Sequence, residues 1–208
     1  MNILFGLLFL FPTQAATLVS ESVGQAGEYV ITSREVQISS AIEDVLFSEK
    51  PVTGLLEVRP EQAVYRNAVA NVLLEVVVAL EAENFNVGTV PPDELSRALA
   101  KVEKSLGGKP YWTRLEITSG ELQKFTSRKL VAKSFLKFKS NSMVGIITDQ
   151  EAQSYYDKNR IKFGSMPFSN FKENIKTFLA QQQLEERLRS WFEVIKRKYK
   201  VRNLLPTA

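Results

Sequence analysis

The sequence predicts a mainly helical, all-α fold, and three observations carry that expectation. Threonine stands three residues before glutamate at Thr32/Glu35, Thr118/Glu121 and Thr148/Glu151. In such a capping box the Thr hydroxyl accepts from the backbone N–H three residues on, while the Glu reaches back to the Thr N–H, so two free N–H donors at the start of a new helix are satisfied. Behind these boxes, and behind Pro60 and Pro92, apolar residues recur at the three-four spacing of one helix face. Pro and Gly then separate the periodic runs, as at Pro51, Gly54, Pro91, Gly107-Gly108 and Gly164.

In chain order, residues 17–27 are small and polar and read as a flexible lead-in; Glu28–Ile31 reads as a short strand. A helix is expected from Ser33 to Phe47 with Val36, Ala41, Ile42, Val45 and Leu46 inward. Residues 48–59 form a connection. Pro60 suits the first turn of a long helix, where its missing N–H is harmless, and Val69, Val72, Leu73, Val76, Val77 and Leu80 make the core stripe. So many β-branched residues mean that burial, not propensity, must hold that helix. Asn84–Pro91 is a turn. The next helix opens with Asp93 and Glu94 at its positive end and closes at Gly107-Gly108. Pro110–Ile117 should hold a short helical turn. From Thr118 a helix should reach about Ser140, with Leu122, Phe125, Leu130, Val131, Phe135 and Phe138 inward and Lys124, Arg128, Lys129, Lys133, Lys137 and Lys139 on the other face. Thr148 starts a short helix to about Asn159. Residues 163–168 form a breaker-rich link. The last helix carries Phe171, Ile175, Phe178, Leu188, Trp191, Phe192, Ile195 and Tyr199, and Val201–Leu205 can be a strand. A two-stranded β ribbon would then join the N- and C-terminal ends.

Composition bounds the chemistry. The chain has 208 residues, 44% hydrophobic and 24% charged, the balance of a soluble globular domain. It has no cysteine and no histidine. A thiolate nucleophile, a Ser-His pair, a His/Cys zinc site and a disulfide framework are therefore excluded. The net charge of +4 hides an asymmetry: residues 1–108 hold 7 basic and 14 acidic side chains, residues 109–208 hold 20 and 9. The two halves are expected to face each other, or water, within one fold rather than to mark a nucleic-acid binder.

Ile3–Phe11 is a nine-residue apolar run, broken by Pro12 and followed by Thr13, Ala15 and Ala16. That is the pattern of a secretory signal peptide, and it is too short to span a bilayer, which needs about 20 residues. No Lys or Arg precedes it, so either the free amino terminus supplies the positive charge or the natural start lies upstream. The expected organisation is a signal peptide at 1–16 and a single domain at 17–208, exported to the periplasm, with no stable membrane insertion.

Several stretches together resemble the chaperone module of SurA-like periplasmic folding factors, related to PpiD-type and trigger-factor chaperones. They are Ile31-Thr32-Ser33-Arg34-Glu35-Val36, the long helix leading to Asn86-Val87 and Pro92-Asp93-Glu94-Leu95, the Ile147–Tyr156 stretch with its Tyr-Tyr pair, and the closing helix with the strand after it. The resemblance spans nearly the whole mature chain. It departs where that family places a parvulin isomerase domain: here only the link at 163–168 stands between the Tyr-Tyr helix and the last helix. A parvulin domain needs about 90 residues, so prolyl isomerase activity is not expected and the chain is not expected to be an enzyme.

The resemblance implies a holdase that binds unfolded outer-membrane or exported polypeptides without ATP or any cofactor. Apolar residues off the clean stripes are the candidate client-binding set: Tyr65, Tyr111, Trp112, Met143, Phe163, Met166 and Phe168. A scaffold with one fixed envelope partner is the alternative. Ser134–Lys137 and Ser169–Lys172 match S-x-x-K, a Ser–Lys nucleophile pattern of low specificity, without its companion motifs. The short link would also let two copies exchange an end helix, a route to a homodimer.

Overall fold

A computed structural model describes residues 20–48, 64–87 and 89–206. The expected signal peptide and the helix start at Pro60 lie outside these residues. The mainly helical expectation holds: eight α-helices and a small antiparallel sheet make up the described residues.

The first departure is at the N-terminal side. Residues 22–26 are not a loose lead-in but strand β1 (Ser22–Ala26), paired with β2 (Tyr29–Thr32). The hairpin loop is Gly27-Glu28, and Gly27 has φ 59°. A turn with a positive φ only at its first loop position is type II′, which glycine supports as well as Asn-Gly supports type I′. Gly24 has a different task. A Cβ there would lie 3.0 Å from Leu73, so the bare backbone lets β1 rest directly on the long helix α2 (Tyr65–Asn84). The C-terminal strand β3 (Arg202–Asn203) pairs with the other edge of β1. The ribbon joining the chain ends is thus the β1–β3 half of a sheet ordered β2-β1-β3.

Helix α1 (Ser33–Phe47) starts at Thr32, whose Oγ1 accepts from the Glu35 N–H at 3.2 Å. The Glu35 carboxylate does not close this box; it turns into the protein instead. α3 (Pro92–Leu106) buries Ala98, Val102 and Leu106, and α4 (Pro110–Arg114) is the expected short turn. α5 (Ser119–Met143) and α6 (Asp149–Lys158) both begin with complete capping boxes, at Thr118/Glu121 and Thr148/Glu151. The link is more ordered than expected: α7 (Arg160–Phe163), an extended stretch and a 3₁₀ turn at Phe168–Asn170 lead into α8 (Lys172–Lys198).

Among the described residues, apolar side chains gather in three clusters. The first joins the sheet, α2, the second half of α5 and the end of α8 around Phe135, Val72, Val76 and Ile195. The second joins α1, α3, α4 and the start of α5 around Ile38, Ile42, Val102 and Trp112. The third is a small lobe of Ala152, Tyr156 and Ile175 with Phe163, Phe168 and Phe171 against them. α5 therefore connects the first two clusters, and α8 connects the third to the first. The end of α8 is pinned by Glu81, which accepts from Lys198 Nζ at 2.7 Å and Tyr199 O–H at 2.8 Å.

The charge asymmetry of the chain is resolved inside the fold. Arg128 of α5 donates from Nη1 to Glu35 of α1 and from Nε to Glu75 of α2, both at 2.6 Å. Next to it, Lys129 binds Glu75 at 2.5 Å and Glu43 at 2.9 Å. Tyr29 O–H donates to Glu35, and Ser39 O–H to Glu75. Arg128, Glu35, Glu75 and Lys129 side chains are each at least 90% buried. Burial alone would raise the Glu75 pKa, but Lys129 and Arg128 outweigh it and hold the carboxyl below its ordinary range. Burial, reinforced by Glu35, pushes the Tyr29 phenol up to about 12 despite Arg128. The basic face expected on α5 is thus partly an internal one.

Arg128→Met would leave two buried carboxylates without their shared cation. Its unfolding free energy, measured by urea denaturation, should fall by about 3–5 kcal/mol. A loss under about 1 kcal/mol would mean that the cluster is a wet surface feature.

Candidate binding surface

The ion cluster fixes α1, α2 and α5 side by side, and beside it their apolar faces leave a groove of about 360 Å³. Phe47 from α1, Leu74 and Val78 from α2, and Ala132 and Leu136 from α5 form its walls. Glu43, Asn71, Lys129 and Lys133 complete its rim and floor. Phe47, Leu74 and Leu136 are only half-buried. Lys133 Nζ sits 3.7 Å from the centre of the Phe47 ring, a cation–π contact that holds ring and lysine together at the mouth.

A second apolar feature lies where α2 and α5 meet the end of α8. The buried ring of Phe135 is surrounded by Phe85 at 5.6 Å, Phe138 at 6.0 Å and Trp191 at 6.1 Å. Phe85 and Phe138 remain 49% and 45% exposed, so half of each ring is available to another molecule. Lys139 Nζ stands between the Phe85 and Trp191 rings, 5.4 and 5.5 Å from their centres. Further along, α8 and the α5–α6 connection enclose an open cleft. Arg187 Nη1 donates to the Met143 carbonyl at 2.7 Å there, while Ile146 projects into solvent at 94% exposure.

Two expectations about α5 are corrected. Phe138 was expected inward; it follows Phe135 by three residues and turns off the buried side. Arg128 and Lys129 were expected on an outer basic face and are inside. Lys124, Lys133, Lys137 and Lys139 remain without an ion pair among the described residues. Phe178 of α8 is also 49% exposed, with its ring against Tyr155.

The seven candidate residues do not form one surface. Tyr65 is 2% exposed in the first cluster and Trp112 is 8% exposed in the second, with Tyr111 half-buried beside it. Phe163 and Phe168 pack on Tyr156 in the third cluster, ring centres 5.0 and 5.5 Å away. Met143 is half-buried at the end of α5. Met166 is exposed, its carbonyl accepting from Tyr156 O–H and Arg160. Large residues next to Pro and Gly break the helical stripe, and here most of them fill the gaps between helices instead of facing out. The groove and ring cluster depend on Phe47, Phe85 and Leu136, which in sequence sit at helix ends or on ordinary stripes; only the lysines on either side of Phe138 hint at exposure there.

The S-x-x-K pairs gain no chemical setting. Lys172 and Lys176 both bind Asp149, and Ser134 and Lys137 lie exposed on α5. No cluster of three or more metal-ligating side chains occurs among the described residues, and no described helix is long and apolar enough to cross a membrane.

The mouth of the second cluster is closed by Arg34, which pairs with Glu121 at 2.6 Å and donates from Nε to the Leu115 carbonyl at 2.8 Å. Hydrogen bonding from Arg34, with further donors from Thr118, outweighs burial and lowers the Glu121 pKa from 4.5 to about 2. A depressed carboxylate stabilises the fold fully above its unfolded pKa and loses that contribution as pH falls through the folded one. Urea midpoints should therefore fall between about pH 5 and pH 2, and less steeply in Glu121→Gln. Parallel slopes for the two proteins would contradict the pairing.

No family model, curated protein or solved structure matches this chain.

Proposed function

We propose that this chain is an ATP-independent holdase, exported to the periplasm, that binds unfolded outer-membrane or other exported polypeptides. The observation that carries the proposal is the open groove between α1, α2 and α5, with apolar walls and half-exposed side chains on a frame locked by buried charges. A holdase needs apolar surface that is accessible before the client arrives, and a frame that keeps this surface from collapsing on itself. The half-exposed rings of Phe85 and Phe138 extend that surface at one side of the molecule. Non-directional burial of apolar groups suits varied sequences, since it asks for area and not for a fixed hydrogen-bond pattern. The resemblance of the capping-box and Tyr-Tyr stretches to SurA-like chaperones points the same way, and the short segment between α6 and α8 is why the proposal includes no isomerase step.

The purified chain at several-fold excess should suppress the light scattering of a porin diluted from urea. Leu74→Ser combined with Leu136→Ser, checked for an intact fold by circular dichroism, should weaken that suppression markedly. Unchanged aggregation in the presence of the wild-type chain would end the holdase proposal.

A further inference from the structure

We infer that the segments accepted at this groove are acidic as well as apolar; the inference rests on the holdase proposal and names the chemistry of its clients. It starts from the charges that the fold leaves unused. From Leu122 to Met143, α5 contains no Asp or Glu. Of its six basic residues, two are used inside the fold and two others matter here. Arg128 and Lys129 are consumed by Glu35, Glu75 and Glu43. Lys133 and Lys137 are exposed and, among the described residues, without an ion pair; four residues apart, they stand one above the other on one helix face.

These lysines are placed beside the apolar surface. Lys133 lines the groove and touches the Phe47 ring. Lys137 immediately precedes the half-exposed Phe138, and Lys139 bridges Phe85 and Trp191. The groove also contains two carboxylates, Glu43 and Glu75; both pair with Lys129, and among the described residues neither is ion-paired with Lys133 or Lys137. A bound chain would therefore lay its apolar side chains between α2 and α5 while its carboxylates meet Lys133 and Lys137. Positive charge at the rim would speed encounter with such segments and oppose basic ones.

The test uses the purified chain and three unstructured peptides of one length that carry the same Leu and Phe positions, with Glu, Ser or Lys between them. Calorimetric titration at low salt should rank them Glu, Ser, Lys, with about tenfold between the first two Kd values, the size expected of a few exposed charge pairs. High salt should compress the ranking. Lys133→Gln with Lys137→Gln should erase the Glu preference, read as the ratio of the Ser peptide's Kd to the Glu peptide's Kd in the same variant. Equal binding of all three peptides would overturn the inference and leave the holdase proposal standing. So would binding of vesicles containing phosphatidylglycerol, lost in the double variant, with no peptide preference, because the lysines would then serve a lipid surface. Failure of all three peptides together with failure of the aggregation assay would instead remove the holdase proposal itself.

Discussion

The fold depends on one guanidinium. Arg128 lies where α1, α2 and α5 converge, and it satisfies a carboxylate from each of the other two helices at once. Removing two glutamates from water is costly, and the cost is met only because Arg128, Lys129, Tyr29 and Ser39 supply donors in the right directions. Such a cluster contributes less net stability than an apolar plug of the same volume. What it does better is fix register, because sliding α5 by one turn would strand every charge in it. A groove whose walls come from three helices needs that kind of fixed register, and the apolar clusters alone would tolerate several packings.

The remaining architecture follows from where the long helices run. α5 passes from the second cluster into the first, and α8 ties the third lobe back to the first. The first and last described segments meet through β1 and β3, with Leu204 N–H donating to the Val23 carbonyl at 3.0 Å. Glu81, Lys198 and Tyr199 lock that closure from the α2 side. Apolar residues that escape these clusters, such as Phe85 and Phe138, lie beside lysines instead of carboxylates. The same charge asymmetry that assembles the interior thus also sets the sign of the outer surface, once its acidic partners are spent.

Much of the fold was legible in sequence because helix starts and stripes are local signals. α1 and α3 fall where Thr32 and Pro92 predict them, and the Thr118 and Thr148 boxes are complete. β1 was not legible: two glycines among small polar residues look like a loose tether, and only the contact of Gly24 with Leu73 reveals a strand pressed on a helix. The surface was harder still. Periodicity says that Arg128 and Lys129 share an unpaired side of α5, but their carboxylate partners come from positions 53 to 93 residues away, and no local pattern encodes them. For the same reason Tyr65 and Trp112, which look like free aromatics in sequence, turn out to be core.

Native-state hydrogen exchange on the wild-type chain and on Arg128→Met tests the central claim most directly. If Arg128 is the common fastener, amides in α1, α2 and the first half of α5 will lose protection together in the variant, while the α6–α8 lobe keeps its own opening free energy. Loss confined to the turn around residue 128, with α1 and α2 unchanged, would contradict it.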